Sequence, residues 1–316
     1  MFTKVRGRAV RASVFAGFCC VLLLGGAGYV WELRALAAFL DDGDPVRGSY
    51  AQDPGAADDT ASAVLDGMAR EGLPPGDGDT GPVTGGDPEH RGSVRWQPSE
   101  PLEARPAPAD PAVGALFSPG EDGDPDHHCS ASVVHSPGGD LIATAAHCVH
   151  DGGFRTNLAF GPGYRDGFLP YGVWVPTRID VDPRWVTGRD PDHDVAFLRM
   201  RRPGHPGQRL EDVVAAAGTI RFGAALPVPA RLMGYPNTAE EPLECRNTAV
   251  AAGPSQLRLD CADVPNGTSG GPVLTGDRTL IGVIGGRDGG GDEETSYSSR
   301  FDAAVRELYE RAGRGS

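Results

Sequence analysis

The stretch Gly267–Pro272, with the sequence GTSGGP, places Ser269 between glycines and directly before the apolar pair Val273-Leu274. A nucleophilic serine needs a sharply turned backbone that presents its hydroxyl group. It also needs backbone N–H groups that are free to bind a developing oxyanion. Glycines permit both requirements. Glycine–serine turns are also common in ordinary loops, so this stretch alone is equally compatible with a loop that has no catalytic role.

The same residues fit the G-x-S-x-G pattern of the nucleophile elbow of α/β-hydrolases. In that fold the serine comes first in the chain, followed by the acid and then by the histidine. No histidine follows Ser269 in this sequence, and the last one is His205. The order of the residues therefore argues against the α/β-hydrolase fold.

Two upstream segments supply candidate partners for this serine. The segment Leu141–Cys148, LIATAAHC, ends an apolar run with His147, and Asp194 begins the run DVAFL. Each residue alone is weak evidence, because a histidine at a strand end is usually structural and Asp190 or Asp192 could equally be turn residues. Together the three occur in the order histidine, aspartate, serine, which is the chain order of the chymotrypsin triad.

At these residues the chain resembles the chymotrypsin/trypsin-like serine peptidases in their bacterial exported form, over roughly residues 112–312. The resemblance implies an all-β, chymotrypsin-like fold of two six-stranded β-barrels, with the active site between them and a C-terminal helix alongside. It implies that Ser269 is the nucleophile, His147 the general base and Asp194 the residue that orients the imidazole. It also implies an oxyanion hole formed by the N–H groups of Gly267 and Ser269.

Two positions bear on activation and specificity. Thr268 stands before the nucleophile, where the animal enzymes of the family have an aspartate that pairs with a newly cut N-terminus, and threonine cannot form that ion pair. Asp263 stands where trypsin-like enzymes with Arg/Lys preference carry the pocket-floor aspartate. A buried carboxylate there would bind a basic substrate side chain. Arg287 could neutralise it instead, and a purely structural role for Asp263 is also open.

The cysteines of the predicted domain suggest disulfide bonds, since an even number in an exported domain is typical of them. Four cysteines allow three connectivities, and pairing sequence neighbours gives two short loops. None of the cysteine pairs has the C-x₂₋₄-C spacing of a zinc site, so we expect no metal. The residues concerned are Cys129, Cys148, Cys245 and Cys261.

Hydrophobic patterning from about residue 111 onward is that of short strands. Apolar side chains alternate with polar ones between Val173 and Val181, while Val195–Met200 and Leu280–Ile284 are continuous apolar runs. Turn residues separate these runs, which favours a β-barrel or sandwich. Only Arg300–Gly313 shows a helical period. We therefore assign residues 111–316 to one all-β peptidase domain.

The first 110 residues differ from the rest in composition. In residues 1–40, basic residues precede the uncharged run 12–31, which as a helix would span roughly 30 Å. This run is either an uncleaved transmembrane anchor with its N-terminus in the cytoplasm or a cleaved signal peptide. Residues 41–110 are acidic and rich in proline and glycine, and we expect a disordered linker. Everything after residue 40 then lies outside the cytoplasm.

These features predict an extracytoplasmic serine endopeptidase, membrane-anchored or secreted, that cleaves protein or peptide substrates through an acyl-enzyme intermediate. We expect a monomer without a cofactor, which contacts the membrane only if the N-terminal helix is retained. A net charge of −14 argues against a nucleic-acid partner. The alternatives are a catalytically silent homologue that binds protein in its cleft, and an acidic envelope protein whose function lies in residues 41–110. The complete set His147, Asp194 and Ser269 favours the enzyme.

Overall fold

The computed structural model describes residues 39–70, 96–119 and 126–314. The predicted apolar run 12–31 and residues 71–95 of the predicted linker lie outside the described residues. No helix in the described ranges is both long and apolar enough to cross a bilayer. The elements below belong to the unit Asp41–Ser316, apart from the first residue of the first strand.

A curled antiparallel sheet is built from the first part of the chain. The strands are β1 (Leu40–Asp41), β2 (Ser49–Ala51), β3 (Arg105–Pro106), β4 (Val113–Phe117), β5 (His127–Val134), β6 (Leu141–Thr144), β7 (Phe154–Arg155), β8 (Ala159–Pro162), β9 (Val175–Val181) and β10 (Ala196–Arg201). Seven of them form the sheet, in the order β2-β9-β10-β6-β5-β4-β8. Residues of β4, β5 and β6 are buried almost throughout, which explains the largely apolar character of β4 and β6.

A second curled sheet follows. Its strands are β11 (Thr219–Ile220), β12 (Val228–Gly234), β13 (Leu243–Ala252), β14 (Gln256–Asp260), β15 (Pro272–Thr275), β16 (Thr279–Val283) and β17 (Thr295–Ser299). Their order is β11-β16-β15-β12-β13-β14-β17, and β3 pairs with β13. The predicted all-β, chymotrypsin-like fold class is confirmed. Each sheet has more than the six strands that were expected of each barrel. The additions are β2 in the first sheet, and β3 and β11 in the second.

In the described residues, four α-helices accompany the sheets: α1 (Pro54–Arg70), α2 (Pro183–Gly188), α3 (Leu210–Val214) and α4 (Ala303–Gly313). The helix α4 is the predicted C-terminal helix. Asp302 caps its N-terminus by accepting hydrogen bonds from the N–H groups of Ala304 and Val305. Its apolar face, which includes Leu308, is buried in the same cluster as Phe197 of β10.

The helix α1 corrects the prediction that residues 41–110 are a disordered linker, at least in the part of that segment that the structure describes. Ala57, Ala61, Val64 and Met68 lie on one face of α1 and are buried in a cluster that contains residues of β4, β8, β9 and β12. Small residues, among them Ala57 and Ala61, make up much of this face. Its apolar period was therefore hidden in the mean composition of a segment rich in aspartate, proline and glycine.

The chain before α1 is also joined to the first sheet. The strand β2 pairs with β9, with Ser49 opposite Asp180 and Ala51 opposite Arg178. The side chain of Gln52 donates a hydrogen bond to the carbonyl oxygen of Thr156, 104 residues further along the chain. The described N-terminal segment is therefore part of the folded domain.

The cysteines pair as sequence neighbours, which is one of the three connectivities considered above. Cys129 is bonded to Cys148, and Cys245 to Cys261. The first pair lies in the hydrophobic cluster of the first sheet and the second pair in the cluster of the second sheet. Each disulfide therefore joins two segments within one half of the domain.

Candidate active site

His147 lies in a 3₁₀ turn, Ala146–Cys148, which directly follows β6. Its neighbour Cys148 is fixed to β5 by the disulfide with Cys129. The imidazole keeps 27% of its side-chain surface exposed, and the indole of Trp185 from α2 lies beside it, with 6.4 Å between the ring centroids. The local fold therefore presents a histidine ring at the surface on a covalently braced turn.

Asp194 faces this histidine from a buried position. Its Oδ2 lies 2.7 Å from His147 Nδ1 and accepts the N–H of Gly286 at 2.7 Å, and its Oδ1 accepts the backbone N–H of His147 at 2.9 Å. An ionised carboxylate only accepts hydrogen bonds, so the proton of the imidazole sits on Nδ1. Nε2 of His147 is then left as the basic nitrogen.

The turn before Asp194 is held by residues that the sequence analysis did not find. Gln256 donates from Nε2 to the carbonyl oxygen of Pro191 at 2.9 Å and to Asp192 Oδ1 at 2.8 Å. Ser299 Oγ also donates to Pro191 O, and it accepts the N–H of Asp194 at 3.1 Å. Gln256 and Ser299 belong to no short motif, and only the pairing of β14 with β17 brings them to this turn.

The pKa of Asp192 is lowered in this network. Burial acts to raise it, but hydrogen bonds from the side chains of Ser255 and Gln256, together with the charges of His193 and Arg287, outweigh that effect. Asp192 therefore stays ionised as an acceptor for Gln256. The carboxylate that contacts the histidine is Asp194, while Asp190 and Asp192, considered above as turn residues, lie in the turn before it.

Ser269 lies in the glycine-rich loop between β14 and β15 and is partly exposed. Gly267 and Gly270 have φ angles of 95° and 80°, which side-chain-bearing residues rarely adopt. A Cβ at Gly270 would overlap Thr144 Oγ1 and the carbonyl oxygen of Ser130. The nucleophile loop therefore packs against the end of β6, immediately before the turn that carries His147.

Two N–H groups of this loop are free. The N–H groups of Thr268, Gly270 and Gly271 donate to carbonyl oxygens of Pro265, Ile284 and Thr268. The N–H groups of Gly267 and Ser269 donate to no atom of the described residues. These are the two groups predicted for the oxyanion hole, and unpaired backbone N–H groups are the kind of donor that such a site uses.

Thr268 is accommodated inside the same loop. It is buried, and its hydroxyl donates to the carbonyl oxygen of Pro265 at 2.7 Å. Its Cα and Cβ also lie against Gly234 of β12, where an added Cβ would be 2.9 Å away. The position that carries an aspartate in the animal enzymes is thus satisfied locally by a neutral side chain.

Asp263 is not buried, contrary to the expectation for a pocket-floor carboxylate. It is exposed, has a φ angle of 57°, and its N–H donates to the carbonyl oxygen of Glu293 at 3.3 Å. Among the described residues it forms no salt bridge. Arg287, the residue considered as its neutralising partner, instead lies over the ring of Tyr297, 5.5 Å from the centroid.

One group of potential metal ligands lies in this region. Donor atoms of Cys129, His147 and Cys148 lie within 4.8 Å of one another. Both sulfurs are held in the disulfide and are not thiolates, so they cannot act as ordinary metal ligands. The group does not fit a metal centre.

The comparisons with known proteins agree with the observed fold. Residues 129–283 match the family model described as a trypsin-like peptidase domain. No curated protein sequence matches the chain significantly. The match over residues 129–283 identifies a trypsin-like peptidase domain. The predicted resemblance to the chymotrypsin/trypsin-like serine peptidase family is confirmed.

Among solved structures, the chain is similar to the protease Anisep from Arthrobacter nicotinovorans. That likeness has a TM-score of 0.59 and 24% identity, and it covers 66% of this chain and 99% of that one. It is also similar to the thermostable serine protease AL20 from an extremophilic microorganism, with a TM-score of 0.57, 28% identity, and coverage of 65% and 97%. A Glu endopeptidase is similar at a TM-score of 0.54 and 17% identity, covering 67% and 96%.

Proposed function

We propose that this chain is an extracytoplasmic serine endopeptidase that uses His147, Asp194 and Ser269 as its catalytic triad. The observation that carries the proposal is the buried Asp194 bonded to His147 Nδ1, beside a loop with two free N–H groups. A peptidase requires both features, and a domain that merely binds protein requires neither.

In the proposed reaction, Ser269 Oγ attacks the carbonyl carbon of the scissile peptide bond while His147 Nε2 takes its proton. Asp194 keeps the Nδ1 proton in place and stabilises the imidazolium that forms. The N–H groups of Gly267 and Ser269 bind the oxyanion of the tetrahedral intermediate. His147 then donates the proton to the leaving amine, and water releases the acyl group from Ser269 in the same way.

The location outside the cytoplasm is supported by two independent observations. The two disulfide bonds are of the kind that persists in oxidising compartments. The sequence also carries the apolar run 12–31 behind a basic segment. The proposal includes a monomeric state. It also includes an N-terminal helix that is either retained as a membrane anchor or cleaved as a signal peptide. Cell fractionation and N-terminal sequencing of the mature protein test the last point.

We leave Asp263 out of the proposed site. Its carboxylate is exposed and therefore offers little to a substrate side chain that must also be desolvated. Cleavage of a peptide library tests this choice. Replacement of Asp263 by asparagine is expected to leave the order of preferred residues unchanged.

The decisive experiment is active-site labelling of the full chain, folded under oxidising conditions, with a fluorophosphonate probe. The parent and an Ser62→Ala control on the exposed face of α1 are expected to react. The variants Ser269→Ala and His147→Ala are expected not to react. A folded, disulfide-bonded parent that stays unlabelled would point to a silent homologue and would contradict the proposal.

A further inference from the structure

Ser130 of β5 is a fully buried residue that contacts the nucleophile loop twice. Its N–H donates to the carbonyl oxygen of Ser269 at 2.7 Å. Its hydroxyl donates to the carbonyl oxygen of Gly267 at 3.0 Å. The side chain of Ser130 thus holds the carbonyl group of Gly267, which is one of the two residues whose N–H groups are free.

The same hydroxyl has a second partner on the other sheet. Ser130 Oγ accepts the N–H of Tyr235, the residue after β12, at 2.7 Å. Tyr235 is itself buried, and its hydroxyl donates to the carbonyl oxygen of Tyr164 at 2.7 Å. One hydroxyl group therefore joins a strand of the first sheet, the end of a strand of the second sheet and the nucleophile loop.

The loop needs such an external partner because its own backbone is permissive. Gly267 adopts a φ angle of 95°, and glycine rotates among several conformations at little cost. The Gly267 N–H belongs to the Asn266–Gly267 peptide, whose carbonyl oxygen accepts the N–H of Asn237 at 2.9 Å. Rotation at Gly267 would turn this peptide relative to the Gly267–Thr268 peptide and misalign the N–H. Within the described residues, Ser130 Oγ is the one partner of both Gly267 O and the N–H of Tyr235. Loss of the hydroxyl would leave both buried groups unpaired, which favours a rearranged loop.

We propose that Ser130 is a positioning residue for the oxyanion hole, which holds the carbonyl of the Gly267–Thr268 peptide and thereby limits rotation at Gly267, whose N–H lies on the preceding peptide. This inference rests on the proposed function, since it names the residue that keeps the proposed oxyanion hole in its active geometry. Ser130 touches no substrate atom and acts through Gly267.

The test compares Ser130→Ala with Ser132→Ala in the full chain. Ser132 is the matched control because it lies two positions further along β5, is also buried, and has a hydroxyl without a partner among the described residues. For hydrolysis of a peptide ester, we expect Ser130→Ala to lower kcat by about 10- to 100-fold with KM changed by less than about threefold. We expect Ser132→Ala to change both by less than about threefold.

A second readout reports on the oxyanion hole itself. A hole built for oxygen discriminates against a thionoester, in which sulfur replaces the carbonyl oxygen of the substrate. We expect the ratio of kcat/KM for the ester to that for the thionoester to fall in Ser130→Ala and to stay at the parent value in Ser132→Ala. Both substrates are hydrolysed by the same folded fraction, so the ratio remains valid if the variant folds only in part.

Ser130→Thr keeps a hydroxyl at this position, and we expect its ester-to-thionoester ratio to match that of the parent. An unchanged kcat and ratio in Ser130→Ala would overturn the inference, as would a rise in KM alone. Ser130→Thr with the reduced ratio of Ser130→Ala would overturn it as well. Failure of the proposed function is a separate outcome, because in that case the parent itself would not react with the fluorophosphonate.

Discussion

Replacement of Asp194 by asparagine is the perturbation for which the structure gives the sharpest expectation. Three N–H groups point at the two carboxylate oxygens of Asp194: the backbone N–H and Nδ1 of His147, and the N–H of Gly286. An asparagine offers one oxygen and one NH₂ group. It cannot accept from all three donors, whichever way the amide is oriented.

The two orientations fail in different ways. With the amide oxygen towards the His147 N–H, the NH₂ group faces Nδ1 and forces the ring proton onto Nε2, so His147 cannot accept a proton from Ser269. With the opposite orientation, the NH₂ group faces the His147 N–H at a separation of 2.9 Å, donor against donor. Either way one backbone N–H is left unpaired, at a cost of about 1–3 kcal/mol.

In the first of these orientations the triad histidine is held in the wrong tautomer, which lowers kcat by roughly 10⁴-fold, or about 5.4 kcal/mol of transition-state stabilisation. We therefore expect a loss of this size in kcat for ester hydrolysis by Asp194→Asn, measured on protein whose circular dichroism matches that of the parent. The matched control is Asp192→Asn, whose carboxylate contacts Gln256 and not His147, and which should lose less than about threefold. An Asp194→Asn variant that kept more than a tenth of the parent kcat would refute the assignment of this carboxylate.

Three further predictions concern stability. Val64→Ala on α1 should lower the free energy of unfolding by about 2 kcal/mol, because it leaves a cavity in a fully buried cluster. Urea titration measures this loss. The control Ser62→Ala, at an exposed position of α1, should change the free energy of unfolding by less than about 0.5 kcal/mol. Burial, aided by the charge of Arg155, lowers the pKa of His128 from 6.5 to about 4. As the pH drops, the unfolded state therefore binds a proton on His128 before the folded state does. The free energy of unfolding should fall by roughly 3 kcal/mol between pH 6.5 and pH 4. In His128→Gln the free energy of unfolding should depend less on pH in this range. An unchanged pH dependence would contradict the assignment of the effect to His128. Joint replacement of Cys245 and Cys261 by alanine should cost about 3 kcal/mol, since it opens a loop with a sequence separation of 16, and an unchanged urea midpoint would count against it.

The parts of the site that the sequence predicted are those written in short contiguous motifs. The loop Gly267–Pro272 and the segment that ends in His147-Cys148 each carry a local requirement, a turned backbone or a braced histidine, that few residue types satisfy. Their order along the chain then selected one fold. The helix α4 was predicted for a similar local reason, its apolar period over one continuous segment.

The parts that were missed depend on contacts between distant residues. Ser130, Gln256 and Ser299 are ordinary polar residues in strands, and only the pairing of the sheets brings them to the loops they hold. The helix α1 was missed because its buried face is made largely of small residues, which barely raise the mean hydropathy of an acidic segment. Asp263 was considered as a buried pocket-floor carboxylate, beside a purely structural role, from its position relative to Ser269, but the backbone there follows its own course, with φ at 57°.

The position of β2 at the edge of the first sheet has a consequence for the order in which the domain folds. Its partner β9 lies far along the chain, with Ser49 opposite Asp180, and the cluster that covers α1 includes Tyr235. Contacts between residues so distant in sequence form slowly, because the intervening chain must first be confined. The segment that carries β2 and α1 is thus expected to dock last, after strands from both sheets have been assembled.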